Sequence, residues 1–90
     1  MSAADDLLTR MRRRQAGWSP DDFETLFIGF GFEKHEGGNH TRYRHPRFPQ
    51  LSATVARHWE LSRAYTRDAL KLIDELKRLQ AEEEAKRANP

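Results

Sequence analysis

Residues 37–46, which read GGNHTRYRHP, concentrate the side chains of this chain that could do chemistry. The two glycines predict a turn, and the residues after them alternate as in a β-strand, where side chains two apart share a face. The alternation assigns His40, Arg42 and Arg44 to one face, and Thr41, Tyr43 and His45 to the other. An imidazole transfers protons near neutral pH, and guanidinium groups bind phosphate. The pattern therefore indicates a phosphodiester of a nucleic acid as the substrate.

The length and composition of the chain predict one small α+β domain. It has 90 residues, a formal net charge of +2 and no cysteine, which excludes disulfides and thiolate metal sites. No apolar run reaches the length of a membrane span, and the N-terminus lacks the apolar region of a signal peptide. We therefore expect a cytoplasmic protein that does not contact a membrane.

The positive charge is concentrated in residues 34–67. This segment has seven lysines and arginines against two glutamates, a net charge of +5. A concentrated basic patch favours nucleic-acid binding, although charge alone is equally compatible with a role in solubility. The candidate RNA-binding residues in this segment are Lys34, Arg42, Arg44, Arg57 and His58.

The hydrophobic pattern predicts three helices and three strands. The first and last helices are predicted at Ala4–Gln15 and Tyr65–Ala88, and a helix between them starts at the capping sequence Ser19-Pro20-Asp21-Asp22 and stops at Gly31. The predicted strands are Phe32–Glu36, Asn39–His45 and Leu51–Arg57. Gly37-Gly38 is the predicted turn of the first hairpin. We assign residues 1–18 to an N-terminal helical extension, 19–80 to the main domain and 81–90 to a charged helical tail.

The element order, after the N-terminal helix, is α-β-β-β-α. This order predicts a three-stranded antiparallel sheet with helices on one face and the other face open, as in the double-stranded-RNA-binding fold. The predicted core between sheet and helices is Phe23, Phe27, Phe30, Tyr43, Val55, Leu72, Ile73 and Leu76. In the third strand Leu51, Ala53 and Val55 are expected to face the core, and Ser52, Thr54, Ala56 and His58 to face solvent.

The strand pairing brings several polar side chains to one end of the open face. We expect His40, Arg42, Arg57 and His58 to converge there, subject to the register of the strands. Without further information a histidine on a surface strand usually has no catalytic role. The arginine-rich end of the first helix, Arg10–Arg14, is interpreted as a favourable interaction with the helix dipole rather than as a phosphate site. We expect neither a cofactor nor a metal, although four histidines make a metal site an alternative.

Three motifs in this order resemble the HicA toxin family. They are Gly31-Phe32-Glu33, then Gly38-Asn39-His40 followed by Tyr43-Arg44-His45-Pro46, and the run from Val55 to Arg63 that leads into the last helix. The resemblance covers residues 18–78. Each motif is short, and it is their order and spacing that make the combination specific.

The resemblance implies a ribonuclease toxin of a type II toxin–antitoxin pair that cleaves messenger RNA without a metal. The family's catalytic histidine corresponds to His40, and the expected partner is a HicB-like antitoxin. The chain departs from the family pattern at Asn39, where serine is common, at Thr41, where a second histidine is frequent, and at Ala56, where proline is usual. These departures leave open an inactive member of the family.

The chemistry of the residues agrees with this function in one respect. A neutral His40 could take the proton of a ribose 2′-hydroxyl while Arg42, Arg44 or Arg57 stabilises the phosphorane. His58 is the candidate donor of the second proton, with packing against Trp59 or phosphate binding as its alternatives. The competing functions are an RNA-binding module without catalysis and a protein-interaction domain. The chain alone also allows a homo-oligomer formed through the last helix.

Overall fold

A computed structural model describes residues 2–58 and 61–88. The elements are α1 (Ala3–Arg13), α2 (Pro20–Gly29), β1 (Glu33–Gly37), β2 (His40–Arg44), β3 (Ser52–Ala56) and α3 (Arg63–Ala88). The fold is therefore α+β, with α2, three strands and α3 in the predicted order. Trp59 and Glu60, in the third motif of the resemblance, and the last two residues of the predicted tail lie outside the described residues.

Serine capping boxes start the first two helices. The Oγ of Ser19 accepts a hydrogen bond from the Asp22 N–H at 3.2 Å, and the Asp22 carboxylate accepts one from the Ser19 N–H at 2.9 Å. Ser2 and Asp5 form the same reciprocal pair at the start of α1. Both boxes satisfy N–H groups that a helix leaves unpaired at its first turn. The helix start predicted at Ser19 is confirmed.

The three strands form one antiparallel sheet in the order β1-β2-β3. In the first hairpin Gly37 pairs with His40, so the two turn residues are Gly38 and Asn39 rather than the predicted Gly37-Gly38. Gly38 has a φ of +56°, a conformation that glycine adopts without steric cost. The shift of one residue in the turn moves each cross-strand partner by two residues, so His35 is opposite Arg42 rather than His40.

The core lies between one face of the sheet and helices α2 and α3. Phe27 of α2 stacks on Tyr43 of β2 with ring centroids 4.9 Å apart, and meets Phe32 edge-on at 5.1 Å. The eight residues of the predicted core all belong to this cluster, with Phe30 and Leu72 only partly buried. Burial raises the pKa of the Tyr43 hydroxyl to about 12.

The N-terminal helix α1 contributes to the same core. It packs on α2 and α3, and its buried side chains are Ala4, Leu7, Leu8 and Met11. A Cβ on Gly29 would lie 2.3 Å from the Cβ of Ala4, so glycine is what allows α1 and α2 to approach this closely. Arg12 pairs with Asp74 of α3 at 2.5 Å. The segment 1–18 is thus joined to the rest of the domain through shared apolar surface.

One prediction for β3 is wrong. Ala56 was expected to face solvent, but it is 2% exposed, and its neighbour Val55 is 3% exposed. Two successive buried residues mean that the chain is covered on both sides at this end of the strand, because neighbouring side chains of a strand point to opposite faces. Among the described residues no helix is long and apolar enough to cross a membrane.

Candidate active site on the open sheet face

The face of the sheet opposite the helices is exposed and polar. The strand register assigns to it Glu33, His35 and Gly37 of β1, His40, Arg42 and Arg44 of β2, and Ser52 and Thr54 of β3. All of these residues are exposed. We call them the open face. The burial of Thr41 and Tyr43 on the other side of β2 confirms the alternation predicted for this strand.

His40 is the first residue of β2 and lies beside the hairpin turn. It is opposite Gly37 on β1 and Ala56 on β3, neither of which has a side chain larger than a methyl group. The imidazole is exposed. The imidazole is thus accessible from solvent, while Ala56 beside it on β3 is covered.

Arg42 and Arg44 follow His40 along the same face. Arg42 is opposite His35 and Thr54, and Arg44 is opposite Glu33 and Ser52. Within the described part of the chain, neither guanidinium lies within 4.0 Å of a carboxylate. Each therefore keeps its donor groups available for a phosphate oxygen.

These side chains border a shallow groove of about 350 Å³. Its lining residues are His35, Glu36, Gly37, His40, Arg42, Arg44 and Thr54. His35 is the functional candidate that the sequence reasoning did not identify. The available signal was the alternation of β1, because a turn at either Gly37-Gly38 or Gly38-Asn39 puts His35 on the same face as His40.

Two predicted RNA-binding residues lie away from this groove. Lys34 is hydrogen-bonded to Glu24 of α2 and lies 2.9 Å from a carboxylate oxygen of Glu36. The Nε of Arg57 donates to the hydroxyl of Thr41 at 3.3 Å, and its Nη2 is 3.7 Å from Glu36. We call Glu24, Lys34, Glu36 and Arg57 the edge cluster.

The edge cluster corrects the expected convergence of His40 with Arg57. The Arg57 N–H donates to the carbonyl of Asn39 at 3.1 Å, so the predicted proximity of the two backbones is right. The Arg57 side chain, however, contacts the helix-covered side of the sheet, as alternation requires for a residue that follows Ala56. The hydrogen bonds of Glu24 and Glu36 raise the pKa of Lys34, and the hydrogen bond of Lys34 lowers the pKa of Glu36. Lys34 and Glu36 thus stabilise each other's charged forms.

His58 follows β3 and is exposed. It is two residues beyond Ala56, the partner of His40 across the sheet. The groove is lined by other residues, and His58 is not one of them. Its expected convergence with His40 and Arg42 in one site is therefore not seen in the groove.

His45 has a structural role on the covered side of the sheet. It is 7% exposed and packs edge-on against Phe32, with ring centroids 5.2 Å apart. Its Nδ1 accepts a hydrogen bond from the Arg47 N–H at 3.2 Å. Burial lowers the pKa of the imidazole and the nearby Arg47 charge adds to the effect, while a hydrogen bond to the Phe30 backbone opposes it.

Potential metal ligands are scattered. Within residues 2–58 and 61–88 no three histidine, cysteine, aspartate or glutamate side chains are arranged to hold a metal ion. The side chains of the open face that could contact a substrate include the imidazoles of His35 and His40 and the guanidinium groups of Arg42 and Arg44. A search of the chain against protein-family models, curated proteins and solved structures finds no match.

Proposed function

We propose that this protein is a HicA-like endoribonuclease, the toxin of a toxin–antitoxin pair, with a fold related to the double-stranded-RNA-binding domain. One observation carries the proposal. An exposed histidine, His40, shares the open face with Arg42 and Arg44, which have no carboxylate partner among the described residues. A base beside two phosphate-binding groups is what cleavage of RNA by its own 2′-hydroxyl requires.

The reaction follows from the groups on the open face. Neutral His40 takes the proton of a ribose 2′-hydroxyl, and the oxygen attacks the adjacent phosphorus. Arg42 and Arg44 donate hydrogen bonds to the non-bridging oxygens, whose negative charge grows in the phosphorane. The 5′-oxygen then leaves, and the products are a 2′,3′-cyclic phosphate and a 5′-hydroxyl.

The departures from the family pattern are compatible with activity. Thr41 is buried on the helix side, where it accepts a hydrogen bond from Arg57. Asn39 lies in the turn and supplies a backbone carbonyl to the Arg57 N–H. Ala56 is a buried methyl opposite His40. Asn39, Thr41 and Ala56 are not among the residues that line the groove. The departures at these positions therefore leave the donor and acceptor side chains of the groove unchanged.

The proposed partner is a HicB-like antitoxin that covers the open face. The positive potential of Arg42 and Arg44 would attract an acidic surface and accelerate association at low salt. Occlusion of His40 would inhibit the toxin without a conformational change. Co-expression with the neighbouring reading frame and hydrogen-exchange mapping test this, because protection of α3 alone, with RNA still cleaved, would contradict it.

The catalytic role is tested with purified protein and single-stranded RNA in the presence of a chelator. Wild-type protein should give fragments with 2′,3′-cyclic phosphate and 5′-hydroxyl ends. His40→Ala should lose a factor of about 10²–10⁴ in cleavage rate, the usual contribution of a general base. Its melting temperature should stay close to that of the wild type, because the side chain is exposed.

Three results would contradict the proposal. Unchanged cleavage by folded His40→Ala would exclude His40 as the base. RNA binding by the wild-type protein without cleavage would favour an RNA-binding module of the same fold. Absence of both binding and cleavage would favour a protein-interaction domain, whose basic surface docks an acidic partner.

A further inference from the structure

The open face carries a second exposed histidine next to His40. His35 is opposite Arg42 on the neighbouring strand, so it is the diagonal neighbour of His40 across the hairpin. Diagonal pairs in an antiparallel sheet are about 7–8 Å apart, within reach of long side chains. Both imidazoles line the same groove.

Gly37 leaves the space beside the two histidines empty. It lies on β1 two residues after His35 and directly opposite His40. A Cβ built on Gly37 would meet no atom within 4 Å. Gly37 therefore leaves the bottom of the groove without a side chain. Any other residue at this position would project a side chain toward the two imidazoles.

We propose that His35 is the general acid of the reaction in which His40 is the base. This inference rests on the proposed ribonuclease function and adds a catalytic residue to it. His35 enters the reaction as the imidazolium. As the bond between phosphorus and the 5′-oxygen breaks, its proton passes to that oxygen, which leaves as a hydroxyl.

The proton balance closes without another reactant. His40 gains the proton of the 2′-hydroxyl when the new oxygen–phosphorus bond forms. His35 loses one when the 5′-oxygen departs. Exchange with water returns both histidines to their starting states. An in-line displacement needs the two groups on opposite sides of the phosphorus, and side chains from two strands that flank a groove can provide this arrangement.

Within the described part of the chain, the charged groups that the strand register places around His35 belong to the sheet. Glu33 is on its own strand and its own face, Arg42 lies opposite, and Arg44 is the other diagonal neighbour. The carboxylate of Glu36, which also borders the groove, is held by Lys34 and Arg57. His35 is thus flanked by one carboxylate and two guanidinium groups, and it remains exposed to solvent.

The experiment uses an RNA oligonucleotide with one cleavable linkage, made either with the natural 5′-oxygen or with a 5′-sulfur in its place. A thiolate leaves without a proton because it is a much weaker base than an alkoxide. His35→Gln should lose a factor of about 10²–10⁴ on the oxygen linkage and recover to within about tenfold of wild type on the sulfur linkage. His40→Gln should be slow on both.

The pH profile gives a second readout. On the oxygen linkage the rate of wild type should depend on pH as a bell-shaped curve, as expected when one base and one acid act in the same step. His35→Gln should lose the falling limb. His35→Asn repeats both measurements with a shorter amide, and thermal melts confirm that each variant is folded.

The outcomes separate this inference from the proposed function. If wild type cleaves neither linkage, the proposed ribonuclease function is wrong, and the proposed role of His35 as general acid is wrong as well. If wild type cleaves, but His35→Gln is equally slow on both linkages or unaffected on both, His35 is not the acid. If sulfur rescues His58→Gln and not His35→Gln, the proton comes from His58 and the proposal is overturned.

Discussion

Replacement of both open-face arginines should change how RNA binding depends on salt. Since Arg42 and Arg44 have no carboxylate partner among the described residues, each can replace one counterion of a bound phosphate. For single-stranded nucleic acid the logarithmic slope of affinity against salt is about −0.7 per contact. The double variant Arg42→Ala/Arg44→Ala should therefore have a slope less steep by about 1.4.

This slope difference can be converted into a measurable ratio of affinities. Raising the salt from about 50 to about 200 mM is a fourfold change, and four to the power 1.4 is about seven. Over this range wild type should lose about sevenfold more affinity than the double variant. The effect should be the same for unrelated RNA sequences, because phosphate contacts carry no base information.

Fluorescence anisotropy with two unrelated RNAs measures this slope, in a His40→Ala background that prevents cleavage. The control is Arg78→Ala, which removes one positive charge from α3 and is compared with the single variants Arg42→Ala and Arg44→Ala, each of which should have a slope less steep by about 0.7. Arg78 is paired with Glu75 and also lies 2.5 Å from a carboxylate oxygen of Glu82. A guanidinium held by two carboxylates releases no counterion on RNA binding, so the control slope should equal that of wild type.

Two results would refute the reasoning. An unchanged slope in the double variant would mean that the open face does not contact phosphate. An equal decrease in Arg78→Ala would mean that net charge, and not the location of the two arginines, governs binding. Loss of affinity for one RNA sequence only would show instead that these side chains read bases.

Two further predictions concern stability. Phe27→Ala should destabilise the fold by roughly 3–5 kcal/mol, because the ring is 1% exposed and stacks on Tyr43. Phe30→Ala, at a half-buried site, should lower the free energy of unfolding by less. Chemical denaturation measures both values, and equal losses would argue against this packing. The pKa of His45 is lowered by burial, so the unfolded chain binds the proton more strongly and stability should fall as pH drops below about 6.5. In His45→Gln the loss of stability between pH 7 and 5 should be smaller than in wild type. If the melting temperature of the variant depends on pH as in wild type, His45 is not the group that causes this loss.

Capping residues and apolar periodicity were sufficient to predict the helices and the covered side of the sheet. Ser19 and Asp22 interact locally, so their effect can be read from their spacing. Tyr43 was correctly assigned to the core because it alternates with Arg42 and Arg44, and Val55 because it follows Leu51 and Ala53 at a spacing of two. The extent of α1 burial was less predictable, since the close approach of Ala4 to Gly29 depends on two distant segments.

Side-chain positions that depend on register were predicted less well. The hairpin turn was placed one residue early, so the residue opposite His35 is Arg42 rather than His40. Lys34 and Arg57 were assigned to RNA binding from their charge, but their partners Glu24 and Glu36 come from α2 and β1. Sequence gives the charge of a side chain directly, whereas its neutralisation depends on tertiary contacts.

The two faces of the sheet differ in whether their lysine and arginine side chains are paired with carboxylates, and this difference creates the candidate site. On the helix side the carboxylates of the edge cluster hold Lys34 and Arg57. On the other side Arg42 is left without such a partner within the described chain. The burial of Tyr43 beneath Phe27 fixes the register, because a slip of one residue would expose this ring and bury the arginines beside it. The apolar stack that stabilises the domain is therefore also what keeps His40 and the arginines on the open face.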